Sequence, residues 1–119
     1  MSPSGDLYII GVDPASSRMA FVGGWDDGSD DPVVSHAAHY DLGSETFSPV
    51  KLARAVYVTQ DFLATLPVTL QEQQSPVDRV VVVEKPVVGR GGIKSTMVQS
   101  LTSGAMQAVF IQGGWTILH

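Results

Sequence analysis

The stretch "RVVVVE", residues 79–84, decides the fold. Four consecutive valines favour extended backbone through their β-branched side chains. A run that stays apolar instead of alternating predicts a strand buried on both faces, as in the centre of a parallel sheet. The run ends in an acid, Glu84. A second apolar run, residues 7–12, "LYIIGV", ends in the same way at Asp13. Between the two lie residues 18–25, "RMAFVGGW", and 33–40, "VVSHAAHY". Both read as strands and are joined by the Asp/Gly/Pro loop "DDGSDDP" at 26–32. Together with residues 7–12 they predict an antiparallel meander.

The remaining segments change period. Ser48 followed by Pro49 suits an N-cap and first helical turn. Leu52, Ala53, Val56, Tyr57, Leu63 and Leu66 then recur at helical spacing, with Gln60 breaking the stripe, so residues 48–66 read as an amphipathic helix. Residues 70–78 read as a polar connection. A second helix is expected over 95–112, stopped by Gly113-Gly114. Its apolar face holds Met97, Val98, Leu101, Ala105, Ala108, Val109 and Ile111. "WTILH", 115–119, reads as a fifth strand. The order β-β-β-α-β-α-β, with right-handed crossovers, predicts an α/β fold. It is a five-stranded mixed sheet of order 3-2-1-4-5, flanked by helices, in a single domain spanning 1–119.

Composition agrees with a folded domain: of 119 residues, 44% are hydrophobic and 16% charged. There is no cysteine, which excludes disulfides and thiolate metal sites. The N-terminus lacks the pattern of a signal peptide, and no apolar run approaches the roughly 20 residues of a membrane span. A soluble cytoplasmic chain without membrane contact is expected. The formal charge of −5 is unevenly placed. Residues 85–119 carry Lys85, Arg90 and Lys94 and no Asp or Glu, and a phosphate ligand responds to that local field rather than to the total.

Adjacent parallel strands 1 and 4 bring Asp13 and Glu84 to the same end of the sheet, where ligands of open α/β sheets bind. Two carboxylates roughly one strand spacing apart repel unless a cation or proton lies between them. A hard divalent ion, Mg²⁺ or Mn²⁺, resolves the conflict. The Gly-rich segment "KPVVGRGGIK", 85–94, then offers Lys85, Arg90 and Lys94 to a phosphate beside the metal. Metal plus phosphate suggests phosphodiester hydrolysis. "GRGGIKST" is no P-loop, because the Gly-to-Lys spacing is one residue short. Plainer readings stand beside these. Asp13 before Pro14 also suits a turn initiator. Glu84 suits an ion pair with Lys85 or Arg79, and the three cations suit solvated loop charges. His36, His39 and His119 form no metal-ligand pattern, and Trp25 and Trp115 read first as packing residues.

"IIGVDPASS", "VVVVEKP" and the basic Gly-rich loop before a small-residue helix resemble the RuvC-type Holliday junction resolvases of the RNase H-like superfamily. That resemblance implies an RNase H-like fold, with Asp13 and Glu84 as Mg²⁺ (or Mn²⁺) ligands. It also implies branched DNA as partner and a homodimer through the second helix. The family's turn glycine is Ala15 here. Its further acidic or His/Asp ligands lie on a helix after strand 5, beyond His119, so the chain is read as a C-terminally truncated domain with weak metal binding and little or no cleavage. The alternatives are another RNase H-like nuclease, such as an RNase H or a packaging nuclease, and a catalytically incomplete junction-binding module. An actin-like phosphotransferase shares the hairpin after an Asp but needs a duplicated domain.

Overall fold

The computed structural model describes residues 7–15, 17–26, 33–43, 48–72, 75–84 and 92–119, with the backbone alone for 92–95. The elements are β1 (Leu7–Pro14), β2 (Arg18–Asp26), β3 (Val33–Asp41), α1 (Pro49–Ala64), α2 (Val68–Gln71), β4 (Asp78–Val83), α3 (Gly92–Gln112) and β5 (Thr116–Leu118). They form one five-stranded sheet of order β3-β2-β1-β4-β5, as expected. β1 pairs antiparallel with β2 and parallel with β4, and β5 runs parallel to β4. Among the described residues, no helix is long and apolar enough to cross a membrane.

Alternation along the strands sorts side chains onto two faces. Tyr8, Ile10, Val12, Met19, Phe21, Val81 and Val83 point into the core. Ala55, Val58 and Phe62 of α1 and Met106 and Phe110 of α3 meet them there. Phe21 stacks on Phe62 at 4.8 Å and lies 6.3 Å from Phe110, so both long helices cover the same face. The expectation that all four valines of β4 are buried is therefore corrected. Val81 and Val83 are buried, whereas Val82 is 41% exposed on the opposite face. Val22, Val33, Val34 and Leu118 are exposed too.

The helices differ from expectation in detail. The buried side of α1 is Lys51, Ala55, Val58, Thr59 and Phe62; of the expected stripe, Leu66 is buried and Leu63 packs against the core, whereas Ala53 and Tyr57 are exposed, Tyr57 by 66%. Two polar members are admitted because their polar atoms find carbonyls. Lys51 Nζ donates to Leu42 O at 3.4 Å, and Thr59 Oγ1 donates to Ala55 O at 2.7 Å. Ser48 caps the helix as expected, accepting from the Lys51 backbone N–H at 3.3 Å. The short helix α2 interrupts the expected polar connection and buries Leu70. Arg79, at the start of β4, is also buried. Its Nη1 donates to Leu70 O at 2.9 Å and its guanidinium lies 5.2 Å from the Trp115 ring centroid. Burial lowers its pKa, with Glu72 acting in the opposite sense.

α3 begins at Gly92, three residues earlier than expected, and so takes in Lys94. β5 is shorter than expected. Trp115 is buried, and its N–H closes onto Phe110 O at 3.0 Å, which makes it the end of the helix cap instead of the first residue of the strand.

Candidate functional site

Asp13 stands on β1 one residue before its end, and both Pro14 and Asp13 still pair with β2, opposite Met19 and Ala20. The turn is thus tighter than "PASS": Ala15 N–H donates to Arg18 O at 2.7 Å. Glu84 lies one residue past β4, and its N–H continues the parallel ladder to Val12 O at 3.1 Å. Val12 pairs with Val83, so the next positions, Asp13 and Glu84, face each other across adjacent strands. Both are exposed on the face turned away from the helices. Together with Gly11, Ala20, Val22 and Val82 they line an open cavity of about 530 Å³. The two expected carboxylates are therefore brought together at the C-terminal end of the central parallel pair.

No ion pair to Asp13 or Glu84 occurs among the described residues, which sets aside a Glu84–Arg79 pair. Arg79 is turned to the opposite side, onto Leu70 and Trp115. Nor does any group of three His, Asp or Glu side chains suited to a metal occur among them. Lys85 and Arg90 lie outside the described residues; Lys94 falls in the first turn of α3, where its side chain is not described.

Three residues near this end carry no site signal in the sequence. His119 lines the same cavity as the carboxylates, and its Nε2 lies 3.2 Å from Gln107 Oε1. The pairing of β4 with β5, Val82 opposite Leu118, brings it there, and only the sheet order could have signalled it. Arg18 and His39 belong to the meander. Ala20 faces both Asp13 and His39 in register, so Glu84, Asp13, Ala20 and His39 form one row across four strands. Arg18, two residues before Ala20, lies on the same face.

No protein-family model and no curated protein matches the sequence. Solved structures do match. The RuvC of T. thermophilus in complex with Holliday junction substrate superposes with a TM-score of 0.69 at 11% identity, over 93% of this chain and 62% of that one. A second Thermus thermophilus RuvC structure gives 0.67 at 13%, over 92% and 61%. An exopolyphosphatase from Cytophaga hutchinsonii gives 0.52 at 12%, over 92% of this chain and 33% of that one. The chain thus spans about three fifths of the RuvC chains it matches. A five-stranded 3-2-1-4-5 sheet, matched along nearly its whole length by RuvC, is a RuvC-like, RNase H-like fold.

Proposed function

We propose that this chain carries the metal-binding core of a structure-selective DNA endonuclease that hydrolyses phosphodiester bonds at four-way (Holliday) junctions. The observation that carries the reading is the placement of Asp13 and Glu84 side by side at the exposed rim of a RuvC-like sheet. Exposed carboxylates held next to one another by parallel pairing have no structural partner among the described residues, and their hard oxygen donors suit Mg²⁺ or Mn²⁺. One or two carboxylates suffice for Mg²⁺, which retains waters and takes substrate phosphate oxygens as further ligands. When bound, such an ion polarises the scissile phosphate and generates the water nucleophile. Asp13 and Glu84 hold and orient it. Lys85, Arg90 and Lys94, in the acid-free last third of the sequence, are proposed to contact the DNA backbone. A T. thermophilus RuvC was solved with Holliday junction substrate, which supports branched DNA as the partner.

Carboxylate neutralisation tests the reading. Asp13→Asn and Glu84→Gln are expected to abolish the rise in melting temperature caused by Mn²⁺ or Mg²⁺. That rise corresponds to about 1.4 kcal/mol at ten times Kd. Any divalent-dependent cleavage of a four-way junction by the wild type should also be lost. Cleavage that persists in both variants rejects the proposal, and preferential cutting of an RNA–DNA hybrid moves it to an RNase H. The grouping of only two metal-suited side chains among the described residues favours one second reading, a junction-binding module without cleavage. Junction binding with no divalent response in the wild type identifies it.

The reading includes a homodimer. On α3, Met97, Leu101, Gly104, Ala108 and Ile111 are exposed at spacings of four, three, four and three. That places them in one narrow stripe pointing away from Val98, Thr102, Met106 and Phe110, which are buried. The stripe carries no charge, and an added Cβ at Gly104 meets nothing within 4 Å.

A further inference from the structure

The row that begins at the two carboxylates continues into a second cavity. Beyond Asp13 the sheet presents Ala20, then His39, about two strand spacings or ~10 Å from Asp13. Ala20 is a low floor, one methyl group high, so nothing on β2 separates the two ends of the row. At the far end lies an open cavity of about 590 Å³ lined by Ser17, Arg18, His39, Asp41 and Gly43. Unlike the largely apolar sheet face beside it, this cavity is lined by hydroxyl, guanidinium, imidazole, carboxylate and backbone groups.

The carboxylate of this cavity is held by the backbone, not by the guanidinium. Asp41 faces Arg18 in register, but no ion pair joins them among the described residues. The Asp41 carboxylate is instead turned to the backbone, where Oδ1 accepts from Gly43 N–H at 2.8 Å. Arg18 is exposed, no partner engages its guanidinium among the described residues, and its five-donor fork suits phosphate oxygens. Two strands fix the positions of Arg18 and His39, which gives a more rigid site than a loop can.

We propose that Arg18, with His39, forms a phosphate-backbone clamp that receives the nucleic-acid strand as it leaves the Asp13–Glu84 rim and crosses Ala20. The clamp binds a phosphate flanking the scissile one. It takes part in no covalent step, and it rests on the endonuclease reading given above. Because Arg18 neutralises one phosphate charge, it contributes about one unit to the slope of log affinity against log salt.

The test is equilibrium binding of this chain to a fluorescent four-way junction, and to a duplex of equal length, in EDTA across a salt series. Arg18→Ala is expected to weaken binding of both probes about five- to tenfold at low salt and to reduce the slope by about one. Arg18→Lys should keep most of the slope while losing part of the affinity, and His39→Ala should weaken binding two- to fivefold. Both residues are exposed on strands, so thermal melts of the variants should match the wild type. If Arg18→Ala binds with unchanged affinity and slope, the clamp is overturned, whatever the junction preference. If the wild type does not prefer the junction to the duplex, the junction reading falls, while a loss in Arg18→Ala on the duplex still supports the clamp. Failure of the wild type to bind either probe overturns both.

Discussion

Asp13 gains its meaning from a residue 71 positions away in the chain. An acid that closes an apolar strand is either a turn former or a ligand, and the choice depends on what the neighbouring strand offers at the same level. Glu84 stands at that level, set there by the ladder that links its N–H to Val12, and its carboxylate is what supports the proposed ligand role. Tyr40 shows the converse, a titratable group whose role is structural. It packs edge-on against Phe21 at 5.9 Å, and its hydroxyl donates to Asp61 Oδ2 at 2.9 Å. Burial first, then the hydrogen bond and the charge of Asp61, push its pKa up to about 12. A folded-state pKa above the unfolded value of about 10 gives a contribution that is complete below pH 10 and lost as pH rises towards 12. Urea midpoints should therefore fall over that window in the wild type. Tyr40→Phe is expected to lower stability at pH 8 and to flatten the fall. An identical fall in the variant assigns the alkaline loss to other groups.

At the scale of elements, the strands are the most legible part of the sequence. Each apolar run forms a strand in the expected order, because an unbroken or alternating run with Gly and Pro punctuation leaves few pairings open. Which face a helix covers is not legible. "RVVVVE" carries no label that separates Val81 from Val82, and only the shared docking of α1 and α3 on Phe21 does so. The α1 stripe differs from expectation for a related reason. Hydrophobicity favours Val56 and Tyr57, while Lys51 and Thr59 are buried through their bonds to Leu42 and Ala55 carbonyls. The carboxylate pair is legible because the order of two parallel strands suffices to place it; Arg18 and His39 are not, because their place depends on the antiparallel register. That register contains an irregularity between Gly23 and Gly24, with a physical cause that can be tested. A Cβ on Gly24 would lie 2.5 Å from Val33 O, a backbone atom that cannot yield without moving β3, whereas one on Gly11 meets only Val22 O at 3.9 Å. Gly24→Ala is expected to cost about 1–3 kcal/mol in urea unfolding, and Gly11→Ala less than about 0.5 kcal/mol. Equal losses in the two variants contradict the close-approach explanation.

At the scale of the whole molecule, the sheet has one face packed by helices and one face bearing the carboxylates, while α3 turns a second surface outward. α3 is apolar around most of its circumference, as expected of a helix buried on two sides. Its inner side already packs on the sheet through Met106 and Phe110, so the outer stripe, with Leu101 46% and Ile111 60% exposed, is the surface on which the proposed homodimer would form. A second copy offers a matching stripe with no charge to repel, and Gly104 and Ala108 at its centre allow two helix backbones to approach closely. Such a pairing is isologous, and it repeats the Asp13–Glu84 rim on two related subunits. The two contributions of Gly104 can be separated. Replacing it by leucine removes the helix penalty of glycine, about 1 kcal/mol, and fills open space in the single chain. The melting temperature of a monomer should therefore hold or rise. The same side chain blocks the approach of a second α3. Sedimentation velocity at micromolar concentrations is expected to give a dimer for the wild type and a monomer for Gly104→Leu and for Leu101→Glu. A wild type that sediments as a monomer, or a Gly104→Leu variant that still dimerises, removes α3 as the contact.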